Sequence, residues 1–216
     1  MTYIELVNKV LVRLREPAVN NLTTGVMGPL IAALVQDAYK FVEDAHDWSV
    51  LRSLETFDTT IGQGNVTLTD VPVDSNVHRA YIAGSWNLQQ KSGGWFADRR
   101  VANSSTTGQP YAYNIDRATT GLNNNLVVDL FPTPDAVYTL TFDLTKKGTE
   151  PTASSDYISL PTDPILFLAL SLAVRERGET GGTSSGEYAM IAERSMAQAI
   201  ARDANHRPEE ITMYAP

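Results

Sequence analysis

Residues 160–178 read Leu-Pro-Thr-Asp-Pro, then ten residues from Ile165 to Val174 of which nine are apolar, then Arg175-Glu176-Arg177-Gly178. A helix that is apolar nearly all round has to be buried on most sides. The run is too short to span a bilayer, which takes about 20 apolar residues. Asp163 or Thr162 can cap its start, and Pro164 suits a first turn where its missing N–H is not needed. The cations favour a helix C-terminus, and Gly178 suits the position just past it. The pattern predicts a central helix over 164–177 in a helical core.

Three further helices are expected around it. Thr2-Tyr3-Ile4-Glu5 reads as a capping box, and Ile4, Val7, Leu11 and Leu14 follow on one helical face. Gly28-Pro29 opens a second helix with Leu30, Leu34, Phe41, Ala45 and Trp48 at helical spacing, running to about Asp47. Ser184-Ser185-Gly186-Glu187 offers another capping box for a last helix reaching about Ala204. Its stripe of Ala189, Ala192, Met196, Ala199 and Ile200 permits close approach to a neighbour.

From Thr56 the period falls to two. A hairpin is expected across Gly62-Gln63-Gly64-Asn65, with strands at 77–82, 86–90, 111–115, 126–130 and 137–144 and a long polar loop over 91–108. The fold class is α+β: a four-helix bundle of two N-terminal and two C-terminal helices with an inserted antiparallel β domain. Segments 1–55 and 156–204 make the bundle, 56–155 the insert with its linker, and 205–216 an extended C-terminal tail.

Composition narrows the function. The net charge is −8 and there are no cysteines. This excludes disulfides and thiolate chemistry, and the acidic balance argues against nucleic-acid wrapping. Arg99-Arg100 and Lys146-Lys147 read as solvated pairs. No signal peptide precedes the first helix, and no membrane association is expected. Glu43 and His46 stand at i,i+3, a spacing able to ligate a metal, but the motif occurs once and reads as a charged helix end; no metal and no cofactor are expected. His78 and His206 are the other histidines. Gly-x-Ser-x-Gly is absent, Ser104, Ser105, Ser184 and Ser185 fall in expected loops, and Gly62-Gln63-Gly64 lacks the rest of a dinucleotide fingerprint. The chain does not read as an enzyme.

Two features keep alternatives open. Trp86, Trp95, Phe96, Tyr111 and Tyr113 cluster in the β region. They are either sheet core or a stacking surface for a glycan, with Asp98 and Asp116 as the carboxylates a peptidoglycan-active module would need. Ile211, Met213 and Tyr214 follow Pro208, which ends any helix. They are either a docking tail or a disordered end.

The sequence Tyr3-Ile4-Glu5-Leu6-Val7-Asn8-Lys9-Val10-Leu11, a second helix ending near Trp48, a β insert, Leu160-Pro161 leading into a buried helix, and a last helix with a free tail together resemble the head-to-tail adaptor proteins of tailed bacteriophages. The nearest group is the tail tubular protein A type of short-tailed phages. The resemblance implies a non-enzymatic virion protein of the neck, assembled in the host cytoplasm. It implies a ring, typically of twelve copies, between the portal protein and tail or nozzle proteins, through which double-stranded DNA passes without being read. It assigns 205–216 to portal docking, with Ile211, Met213 and Tyr214 as anchors. A tail-completion or stopper protein is the alternative within virions.

Overall fold

Helix and strand both follow from local pattern here, but their partners do not. The computed structural model describes residues 1–23, 25–84, 87–102, 106–116, 124–178 and 183–205. The protein is α+β, with five helices and two sheets among those residues. It divides into two compact units, one of residues 1–50 and 148–216, the other of residues 51–147.

The first unit is helical. Helix α1 is Tyr3–Arg13, and the Thr2 N–H donates to Glu5 Oε2 at 2.9 Å, which is the Glu half of the expected capping box. It buries Tyr3, Leu6, Val7, Val10 and Leu11. The Tyr3 hydroxyl donates to the Ala32 carbonyl at 2.7 Å, and burial pushes its phenol up to about 12.

Helix α2 is Met27–Asp44. Its buried face is Ile31, Val35, Ala38, Tyr39 and Val42, one position round from the expected stripe. Leu30 and Phe41 are exposed, Phe41 to 63%. The apolar residues of α2 cover more than one face, so spacing alone picks the wrong side. The helix also stops before Trp48, whose ring is buried and whose Nε1–H donates to the Val42 carbonyl at 2.7 Å.

Helix α4 is Thr162–Glu176; α3 belongs to the second unit. Pro161 is its N-cap and Thr162 and Asp163 lie inside the first turn, so neither side chain caps it as expected. Gly178 follows with φ of +64°, the left-handed conformation that glycine takes without penalty. Helix α5 is Thr183–Ala204. Helix α1 packs on α2 and α4, α2 packs on α4, and α5 lies along α4. Ser171 Oγ donates to the Ser185 carbonyl at 2.9 Å, fixing the start of α5 against α4.

The second unit holds strands β1 (Arg52–Asp58), β2 (Asn65–Pro72), β3 (Asn76–Ile82), β4 (Gln89–Gln90), β5 (Ala112–Asp116), β6 (Asn125–Phe131) and β7 (Thr139–Thr145). One sheet has the order β1-β7-β3 and the other β2-β6-β5-β4. The expected hairpin does not form. Strand β1 pairs with β7, Arg52 opposite Thr145, while β2 pairs with β6, Val66 opposite Val128. Pairings are antiparallel except β4 with β5. Leu68, Leu126, Val128, Leu130, Leu140, Phe142 and Leu144 make the core.

The segment expected as a loop over 91–108 contains α3, Gly93–Ala102. Its buried residue, Phe96, packs with Phe131 and Ala112. The strand expected over 86–90 is reduced to β4, and Trp86 lies outside the described residues.

Candidate functional site

Central strands bury both faces, so a carboxylate there needs a partner. Asp143 on β7 accepts from Arg52 Nε at 2.6 Å and from the Arg52 Nη2 group. That pairing holds the Asp143 carboxyl below the usual range. Asp129 on β6 accepts from Arg100 Nη2 at 2.7 Å. Arg100 is thus paired while half of its side chain stays accessible to solvent, and Lys146 stands 3.7 Å from Glu55.

The expected aromatic cluster divides. Tyr113 lies in the core between the sheets, 6.4 Å from Phe142. Trp95 meets Phe96, Tyr111 and Phe131 edge to face, at interplanar angles of 65°, 80° and 89°. The Arg99 guanidinium lies 5.5 Å from the Trp95 centroid and that of Arg100 5.8 Å from the Phe96 centroid. Rings engaged edge-on with one another and flanked by guanidinium groups offer little flat face to a sugar. Asp98 lies exposed on α3 and Asp116 ends β5.

The helical unit brings together residues that sequence reasoning kept apart. Asp203, near the end of α5, accepts from the Ser49 N–H at 3.1 Å and from the Ser49 hydroxyl, and its Oδ2 lies 3.0 Å from His46 Nε2. Burial raises the Asp203 carboxyl, but the bonds from Ser49 and His46 outweigh it and hold the group below its usual value. His46 also meets Trp48 edge-on at 5.0 Å. Serine, histidine and aspartate meet here in the wrong order for nucleophilic attack. The serine gives its proton to the carboxylate, whereas a catalytic serine must give it to the imidazole. The cluster is an anchor for the end of α5.

The Glu43–His46 pair separates. Glu43 Oε1 accepts from the Gly148 N–H at 2.7 Å while His46 turns to Asp203. Among the described residues, no group of three or more metal-ligating side chains comes together. His78 contacts Thr145 Oγ1 at 2.8 Å. Ser184 and Ser185 open α5 and do not lie in a loop. His206, Ser104, Ser105 and the anticipated anchors Ile211, Met213 and Tyr214 lie outside the described residues.

An apolar groove of about 290 Å³ lies between α2 and α5, floored by α4. Phe41 makes one wall, Pro164 and Leu168 the floor, and Ala192, Met196 and Ile200 the other wall. Glu193 is its one charged lining residue. The exposed side of α5 also carries Met190, 70% accessible. The α5 stripe was expected to let a neighbour approach closely, and α5 lies along α4 with Ala192 and Ala199 buried, while Met196 and Ile200 are half-buried on the groove. Among the described residues, no helix is long and apolar enough to cross a membrane.

A protein-family model described as SU10 adaptor protein matches residues 1–212. No curated protein matches the chain.

Proposed function

This chain belongs to the SU10 adaptor protein family, and from that membership we propose a structural, non-enzymatic role in the neck of a tailed-phage virion, between portal and tail. The family match over residues 1–212 carries the reading. In it, α1, α2, α4 and α5 act as one four-helix bundle and the β unit as an insert reaching toward tail or nozzle proteins. Copies, twelve by analogy with such adaptors, close into a ring assembled in the host cytoplasm. Residues 205–216 dock on the portal, with Ile211, Met213 and Tyr214 as anchors.

The electrostatics support a passage and not a grip. A chain of net charge −8 repels phosphate on balance, and Arg52 and Arg100 are already paired with aspartates. Genomic double-stranded DNA would traverse such a ring unread. The polar wiring of Ser49, Asp203 and His46 supports anchoring over catalysis.

Sedimentation and negative-stain imaging of the chain mixed with its cognate portal test this. A ring seated on the portal is expected, together with its loss when residues 205–216 are removed. A full-length chain that never joins the portal contradicts the role. Normal assembly of the shortened chain contradicts the docking tail alone.

A further inference from the structure

Open sheets end in edge strands, and three of the edges in the β unit are blunted. Strand β3 shifts register between Val77 and Arg79, and the Leu88 N–H donates to its Ala80 carbonyl at 2.8 Å. Strand β2 carries Pro72 and a register shift, with Asp70 at φ of +62°. Strand β4 is two residues long. Bulges, prolines and short strands keep an edge from recruiting another strand. Strand β1 is the remaining edge and has none of these, nor a lysine. All of its residues, Arg52 to Asp58, pair with β7 without a shift. The Lys146 N–H donates to the Leu51 carbonyl and the Thr59 N–H to the Tyr138 carbonyl, so the odd-numbered residues of β1 bond β7. The N–H and C=O groups of Arg52, Leu54, Thr56 and Asp58 therefore point to the open side, and among the described residues no backbone group meets them. Their side chains are exposed, Leu54 to 64%.

We propose that this edge is a contact between two copies of the chain, their β1 strands pairing antiparallel about a two-fold axis at Glu55. The occupant follows from self-complementarity. In that register Arg52 of each copy stands opposite Asp58 of the other, and Leu54 opposite Thr56. All four are residues whose backbone groups face outward, so every outward N–H and C=O of both strands finds a partner. The ions are ready for it. Arg52 spends Nε and Nη2 on Asp143, and Asp58 Oδ1 accepts from the Thr139 hydroxyl at 2.7 Å, which leaves Nη1 and Oδ2 unpaired among the described residues. The two Glu55 side chains meet at the axis, each with Lys146 of its own copy 3.7 Å away to offset its charge. Sliding by two residues is worse either way: one slip leaves Asp58 beyond the ladder, and the other sets Leu54 against Asp58. A two-fold pair is closed and cannot extend into a ring. Under the adaptor reading it is the form of the free chain, and it parts when copies gather on the portal. The pairing itself follows from the strand and does not rest on that reading.

Sedimentation of the full chain without portal should show a dimer that dissociates on dilution. Thr56→Pro removes an N–H that β7 does not use, and should abolish the dimer while the chain stays folded by circular dichroism. Leu54→Lys, which sets a charge on the same edge, is the second variant and should do the same. The absence of cysteine allows the register to be read as well. Directly opposed residues that share no hydrogen bonds stand about 4.5 Å apart at Cα, within the range of a disulfide. Glu55→Cys should therefore cross-link most of the chain into a covalent dimer under mild oxidation. Leu54→Cys and Thr56→Cys, each offset from its own counterpart by two residues, should stay largely uncross-linked. A parent that is monomeric throughout, an oligomer larger than two, a dimer untouched by both edge variants, or cross-linking at 54 or 56 equal to that at 55 would overturn the proposal. No portal is present in this experiment, so its outcome is independent of the adaptor role.

Discussion

At the scale of single residues, the structure places two aspartates under strong local control. Asp143 and Asp203 both titrate below the ordinary carboxylate range. A carboxyl depressed in the folded state stabilises the protein above its unfolded value of about 3.9, and that contribution is lost as pH falls through the folded value. Urea midpoints at pH 7 and pH 3 should therefore converge in Asp143→Asn relative to the parent, because its share of the acid-sensitive stability is gone. Arg52 is 43% accessible at its side chain, so screening limits the cost at pH 7 to about 1 kcal/mol. Asp203→Ala removes three contacts with Ser49 and His46 and should cost roughly 1–3 kcal/mol in the same measurement. Its amide protons in the last two turns of α5 should exchange faster while those of α1 do not. None of this wiring was legible in sequence, since Ser49 and Asp203 lie 154 residues apart.

At the scale of elements, what sequence revealed was what local chemistry decides. The apolar run of α4 announces burial, and Gly178 closes it in a left-handed conformation that only glycine takes freely. Gly178→Ala should lower stability by about 1 kcal/mol, read by denaturant unfolding, although open space surrounds the new methyl. Leu170→Ala in the middle of α4 should cost about 2–5 kcal/mol, since that side chain is fully buried. What sequence hid was pairing and face. Strands β1 and β2 flank a glycine turn and look like a hairpin, yet each finds its partner far along the chain. Turn residues announce a reversal of direction, not which strand the edge will meet. Helix α3 begins with Gly93-Gly94 and buries little besides Phe96, so composition reads as loop; the i,i+4 spacing of Trp95 with Arg99 and of Phe96 with Arg100 was its one signal. On α2, Phe41 reads as core and stands on the groove because apolar residues cover several faces.

At the scale of the whole molecule, the role proposed for this SU10 adaptor family member is assembly in the virion neck. Duplex DNA mixed with the purified chain at physiological salt should migrate unretarded in a gel, as expected for an acidic chain whose Arg52 and Arg100 are taken by aspartates. Glycans should bind no better to the parent than to Trp95→Ala, because that ring is locked edge-on among Phe96, Tyr111 and Phe131. The decisive measurement is electron microscopy of the full chain incubated with its cognate portal. A closed ring of copies seated coaxially on the portal, with an open passage through both, is the predicted result; a chain that remains monomeric and unbound beside intact portals would contradict it.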